Sequence, residues 1–239
     1  MFERPHHQRI AAILGALDAE LLASHACYFG GGTAIALRYG EFRESVDIDF
    51  LVADLPGYRA LRQLTDGPDG LGPLFRPDAG LRQHREVRAD QYGIRSLVDT
   101  DGRPVKFEIV LEGRIAFERP SPQDRICGVT CLAPVDMAAS KLLANADRWG
   151  DTAVMRRDII DLAMMNPSRS LLRQALVKTR QAYGDSIDSA LRKAVDYLRT
   201  HPQQLDACMR AMAMTTVPRA TLWQRIKALE TVLPPPPRD

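Results

Sequence analysis

Three consecutive glycines, Gly30 to Gly32, run into a short apolar helix and then into a strand that carries two aspartates: GGGTAIALRYGEFRESVDIDFLV over residues 30–52. No other stretch restricts the fold as strongly. Glycines at this density let the backbone approach an anion closely and take positive φ, and Thr33 is placed to cap the helix that follows. In VDIDFL the side chains alternate between faces, so Asp47 and Asp49 project to one side while Val46, Ile48 and Phe50 face the core. Two carboxylates about 7 Å apart on one strand face suit a hard, oxygen-seeking cation such as magnesium. Aspartate is depleted in strands, so a pair on one strand asks for a chemical reason beyond a solvated face.

That order of parts matches what transfer of a phosphate group demands. Such chemistry needs little covalent help from the protein. It needs a polyphosphate held still and divalent ions placed against its oxygens. The amides of a glycine turn at a helix start point at anions, and the aspartate pair supplies the metal side.

With these residues in view the chain resembles the AbiEii/AbiGii toxin family of the nucleotidyltransferase superfamily. The resemblance rests on GGTAIAL at 31–37, RESVDIDF at 43–50, APVDMAASKLLANADR at 133–148 and MRRDIIDLAMM at 155–165. The blocks stand in the family's order and span roughly residues 28–165, with Ile35 and Ala36 as mild departures and an insertion-like stretch at 66–80. The C-terminal third matches no further block.

The resemblance implies an α+β fold: a nucleotidyltransferase-type mixed sheet with flanking helices, followed by a C-terminal helical bundle, with the active site in the cleft between them. It implies an NTP as substrate, bound through Gly31, Gly32, Thr33, Arg43, Ser45, Lys141 and Arg157, and Mg2+ on Asp47 and Asp49. The catalytic set becomes Asp47, Asp49, Glu108, Lys141 and Asp158. Alternation in VKFEIV sets Glu108 on the side of Lys106 and Val110, opposite Phe107 and Ile109; the family's residue near here, usually aspartate, is a base or a further metal ligand. Lys141 and Arg148, seven residues apart, share a helix face opposite much of the apolar stripe, from which the lysine would reach a β- or γ-phosphate. Asp158 would orient Lys141 or Arg43, and Arg157 would contact phosphate. The implied acceptor is RNA, at the 3′ end of tRNA, and the implied partner is a cognate antitoxin. Two other readings stay open: nucleotidylation of a small molecule such as an aminoglycoside, and a non-catalytic protein that binds nucleotide or a partner.

Composition is compatible with this and excludes other classes. No apolar run reaches the roughly 20 residues that span a bilayer, and MFERPHHQR lacks the basic-then-apolar order of a signal peptide, so no membrane contact and a cytoplasmic location are expected. Cys27, Cys127, Cys131 and Cys208 form no C-x-x-C pair and are expected as reduced thiols. Residues 134–239 hold 16 Lys plus Arg against 11 Asp plus Glu, a net of +5, whereas the remainder carries 16 against 19, a net of −3. The basic excess suits contact with a phosphate backbone, and Arg173, Lys178, Arg180, Arg192, Lys193 and Arg199 are its expected carriers.

Periodicity predicts one amphipathic helix over 6–24, a strand at Tyr28–Phe29, a helix at 33–39, the carboxylate strand at 46–52 and a helix at 57–64. Strands follow at 81–87, 92–98 and 105–111, the last two joined through the turn DTDGR. From Pro134 the pattern turns helical, with Val135, Ala138, Ala139, Leu142, Ala146 and Trp149 on one face. Further helices are expected at 153–165, 169–183, 185–200 and 203–230, the last broken near Pro218. The expected domains are 1–132, 133–233 and a flexible tail at 234–239.

Overall fold

The computed structural model describes residues 2–77 and 79–235, and the chain divides into two compact units, Met1–Ala133 and Pro134–Asp239. Residues 236–239 of the expected tail lie outside the described residues.

The first unit is built on a six-stranded mixed sheet. Its strands are β1 (Cys27–Phe29), β2 (Ile48–Val52), β3 (Arg82–Gln83), β4 (Arg88–Ala89), β5 (Gly93–Asp99) and β6 (Val105–Leu111). The order is β1-β2-β6-β5-β3, with β4 also on β5. β2 runs antiparallel to β1 and parallel to β6, and β5 and β6 form the expected hairpin. Every second residue of β2 (Ile48, Phe50, Val52) is fully buried, as are Phe107 and Ile109 of β6. Phe29, Phe50 and Phe107 form an aromatic column with centroids 5.5 and 5.7 Å apart. Burying one face of β2 this completely leaves its alternate residues, Asp49 among them, on the other face.

Local departures from the sequence pattern have identifiable causes. The helix expected over 6–24 is two, α1 (Pro5–Ala16) and α2 (Ala19–Ser24). Leu17 is extended and bridges to Phe75, the Asp18 amide donates to the Leu74 carbonyl, and the Asp18 side chain accepts from the Leu21 amide as the cap of α2. Tertiary backbone pairing and a good cap outweigh the continuous apolar stripe. The helix α3 (Gly31–Arg38) begins two residues before Thr33, with Gly30 as its cap and no side-chain capping bond. Thr33 is therefore interior to the helix. Val46 is 49% exposed rather than in the core, because pairing on β2 begins only at Ile48. The helix expected at 57–64 is α4 (Leu55–Thr65), capped by Asp54. The strand expected over 81–87 is the two-residue β3, and β4 is a separate second piece. A small hairpin, β7 (Arg125–Ile126) with β8 (Val129–Thr130), completes the unit.

The second unit holds α5 (Pro134–Arg148), α6 (Arg157–Met165), α7 (Arg169–Tyr183), α8 (Ser186–Thr200), α9 (Pro202–Ala211) and α10 (Arg219–Glu230). α5 is buried on more than the expected stripe: Asp136, Met137, Lys141, Leu143 and Asn145 are inside as well. α6 starts at 157 rather than 153 because Met155 and Arg156 both take left-handed backbone, φ +50°. The helix expected over 203–230 is interrupted between Ala211 and Arg219, where Ala213 is left-handed and Pro218 precedes the restart. No described helix is long and apolar enough to cross a membrane, and the four cysteines are free, all but Cys127 buried.

Candidate active site

Asp49 is the best-positioned of the candidate residues. It lies on β2 facing away from the aromatic column, and its carbonyl accepts from the Gly30 amide at 2.8 Å. Gly31, at φ +67°, packs against its side chain: a Cβ at 31 would stand 2.9 Å from the Asp49 Cβ and 3.0 Å from its Cγ. Only glycine combines that left-handed backbone with that approach. The turn and the carboxylate are thus fitted to one another, and the first-turn amides of α3, which a helix leaves without intrahelical acceptors, start beside Asp49. Gly31 and Gly32 are half-buried.

Asp47 is half-buried and stands one residue ahead of β2, so its placement depends on the segment leading into the strand. That segment is tied down on several sides. Thr33 Oγ1 and Ser45 Oγ are hydrogen-bonded at 2.7 Å, both residues being buried. The Ser45 amide donates to His7 Nε2 at 3.1 Å, and His7 Nδ1 meets Glu41 Oε1 at 2.7 Å. Because an amide can only donate, His7 Nε2 must carry the lone pair, which puts the ring proton on Nδ1, facing Glu41. Burial pushes the His7 pKa down against the raising effect of Glu41 and keeps the ring neutral. His6 Nε2 in turn lies 3.0 Å from the Val46 carbonyl. Adjacent histidines of α1 therefore hold the backbone just before Asp47, a role that sequence reasoning missed; the pair HH at 6–7 carries no local sign of a partner near residue 45. Arg43 is 5% exposed, donates to the Glu44 carbonyl at 2.8 Å and lies over the Phe42 ring.

Glu108 is the register partner of Asp49 across the parallel pair β2 and β6, so the two carboxylates share the sheet face. Glu108 is itself engaged by two cations: Arg95 Nε at 2.9 Å from Oε1, and Lys106 Nζ at 2.6 Å from Oε2. Burial lowers and the bond to Glu108 raises the Lys106 pKa, with Asp47 and Asp49 adding to the rise; the net direction is up. Lys106 and Arg95 are the other residues that sequence reasoning left out of the site.

The donor set can be weighed against magnesium. Among the described residues no group of three or more His, Cys, Asp or Glu is gathered to hold a metal ion. Magnesium, however, is commonly held by one or two carboxylates, with substrate phosphates and water completing its octahedron. Asp47 and Asp49, half-buried hard-oxygen donors beside an anion-directed turn, fit that pattern. Glu108, with both oxygens on cations, does not add a third.

Lys141, Asp158 and Arg157 belong to the second unit. Lys141 is not on an exposed face as its spacing with Arg148 suggests: it is 6% exposed, and its Nζ lies 3.0 Å from Asp158 Oδ1 and 2.7 Å from Asp161 Oδ2. Arg148 clasps Asp158 through bonds of 2.7 and 2.9 Å. Burial raises the Asp158 carboxyl, but Lys141 and Arg148 outweigh it and hold the group well below the ordinary carboxylate range. Arg157 is exposed, while Arg156 is buried with its guanidinium 4.3 Å from the centre of the Tyr197 ring. Much of the basic excess of this unit is also engaged: Lys178 pairs with Asp136, Arg180 with Asp188 and Arg199 with Asp196.

Comparison with known proteins follows the same line. The family model described as "Nucleotidyl transferase AbiEii toxin, Type IV TA system" matches residues 13–233. A crystal structure from H. pylori, provisionally assigned as a nucleotidyltransferase, superposes with a TM-score of 0.52 at 16% identity, covering 94% of this chain and 93% of that one. At that identity the likeness speaks for the fold. No curated protein matches the chain.

Proposed function

The chain belongs to the AbiEii nucleotidyl transferase toxin family of type IV toxin–antitoxin systems, and from that premise we propose that it transfers a nucleoside monophosphate from an NTP to the 3′ end of an RNA, tRNA being the acceptor, and is held in check by a cognate antitoxin. The observation that carries the reading is the shared sheet face of Asp49 and Glu108, with Gly31 packed on the Asp49 carboxylate.

In this reading the α3 turn at Gly31 to Thr33 receives the triphosphate through backbone amides, and Asp47 and Asp49 hold Mg2+. The ion, when bound, neutralises phosphate charge as it develops in the transition state. The acceptor's 3′ oxygen forms a bond to the α-phosphorus, the bond from that phosphorus to the bridging oxygen breaks, and pyrophosphate leaves. The hydroxyl proton is released to a carboxylate of this face or to water. Glu108 acts as a positioning residue that fixes Arg95 and Lys106, since both of its oxygens already accept from them.

The test is incubation of the purified protein with total RNA, each α-labelled NTP and magnesium, alongside Asp49→Asn. Labelled RNA in the parent and a loss of several orders of magnitude in the variant are expected, as for removal of a group that acts on the transition state. Labelling confined to small molecules, or undiminished transfer by a folded Asp49→Asn protein, rejects the reading.

A further inference from the structure

The strand register places a second set of charges on the carboxylate face. Glu108 pairs with Asp49 on one side and with Arg95 on the other, and Arg95 pairs with Arg88 of β4. Register partners on adjacent strands share a face, so Asp49, Glu108, Arg95 and Arg88 form one row running across the sheet to its edge. Lys106, two residues from Glu108, lies beside the row. Arg88 is exposed, and the Arg95 and Lys106 side chains, though paired with Glu108 and, for Arg95, also with Asp90 at 3.1 Å, keep 37% and 48% of their exposure.

The row also has a direction. The glycine turn follows β1, on one side of β2, while β6, β5 and β4 lie on the other side. A triphosphate on the turn would therefore occupy the β1 side of Asp49, and the cations begin on the far side, where the second substrate must enter. Neighbouring strands are about 4.8 Å apart, so Arg88 stands about 14 Å from Asp49 across the sheet. Cations stepping away from the reacting carboxylates match a single nucleic-acid strand, whose phosphates need successive positive partners.

We propose that Lys106, Arg95 and Arg88 form the binding surface for the single-stranded 3′ segment of the RNA acceptor, running from the carboxylates over β6 and β5 to β4. This rests on the nucleotidyl-transfer reading above. It places the acceptor contact in the first unit rather than on the basic residues of the second.

The experiment measures binding of a fluorescently labelled, unstructured RNA oligonucleotide with a free 3′ hydroxyl across a salt series, using the full chain, Arg88→Glu and Lys106→Gln, with Arg173→Glu as the comparison in the second unit. NTP affinity is measured in parallel. Arg88→Glu and Lys106→Gln should each weaken RNA binding about tenfold at low salt and reduce the slope of log affinity against log salt by about 1. NTP affinity should be unchanged in Arg88→Glu, and RNA affinity unchanged in Arg173→Glu. Arg88 is exposed on a two-residue edge strand, so its variant keeps the fold and gives a decisive result even if another does not. If the parent binds RNA and Arg88→Glu and Lys106→Gln bind it equally well with the same slope, the track is wrong while the transfer reading stands. If Arg88→Glu lowers NTP affinity as much as RNA affinity, the row serves the nucleotide and the proposal is overturned. If the parent neither binds nor labels RNA at low salt, the transfer reading fails and the track falls with it.

Discussion

Replacing Lys141 by alanine should destabilise the second unit far more than loss of an exposed lysine would. Its Nζ lies within 3.0 Å of Asp158 and 2.7 Å of Asp161, and the three side chains are 7%, 4% and 0% exposed. Removing one partner of a buried pair leaves charge where water cannot solvate it, at a cost of about 3–5 kcal/mol. Arg148 remains to clasp Asp158, which favours the lower end, about 3 kcal/mol. For a chain of this length that corresponds to a Tm lower by about 6–12 °C. The same network sets a pH dependence. The folded Asp158 pKa is depressed, so its contribution is present above the ordinary carboxylate value, about 4, and is lost as pH falls below it. Urea unfolding of the parent and of Lys141→Ala across pH 3–7 measures both effects. The parent should lose stability steeply below about pH 4, and the variant, lacking the lysine that holds the carboxyl down, should lose less over the same interval. A variant within about 1 kcal/mol of the parent at pH 7, the size expected of an ordinary substitution, would refute the buried-network argument and return Lys141 to the role of an accessible cation.

Gly31→Ala should cost about 1–2 kcal/mol in urea unfolding from its left-handed backbone and lower RNA labelling about a hundredfold by displacing Asp49; unaltered labelling would mean that the turn does not set the carboxylate. His7→Leu removes the acceptor of the Ser45 amide and should cost about 1–3 kcal/mol, with a several-fold higher Mn2+ concentration needed for half-saturation in direct metal titration. His7→Gln, whose carbonyl can replace the lost acceptor, should recover much of that affinity; equal metal binding by all three proteins would show that the histidine serves the fold alone.

Legibility from sequence followed the range of the interactions. Alternation within VDIDFL and VKFEIV was enough to set Asp49 and Glu108 on the polar faces of their strands, because the pleat is a local property. It misjudged Val46, since where pairing begins is decided by β1 and β6 rather than by the residue itself. The apolar stripe of α5 was legible at Val135, Ala138, Ala139 and Leu142. The burial of Lys141 was not, because what permits it is a pair of aspartates on α6, brought alongside only by tertiary packing. The left-handed residues Met155 and Arg156, which delay the start of α6, have no marker such as glycine or asparagine. His7 illustrates the same limit from the other direction: its neighbours in sequence say nothing of Glu41 or Ser45, 34 and 38 residues away.

The row from Asp49 to Arg88 shows why the distinction matters for function. Each of its residues reads as ordinary in its own segment: an aspartate in a motif, a glutamate in a strand, two arginines in a polar hairpin. Their alignment is a property of three separate pairings, one parallel and two antiparallel, and a shift of one residue in any of them would send the side chains beyond it to the opposite face. Across β2, β6 and β5 the buried residues Phe50, Ile109 and Ile94 resist that shift, since slipping would exchange fully buried apolar side chains for charged ones. Across these three strands the apolar face of the sheet thereby fixes the register, and the register fixes which charges a substrate on the other face will meet from Asp49 to Arg95.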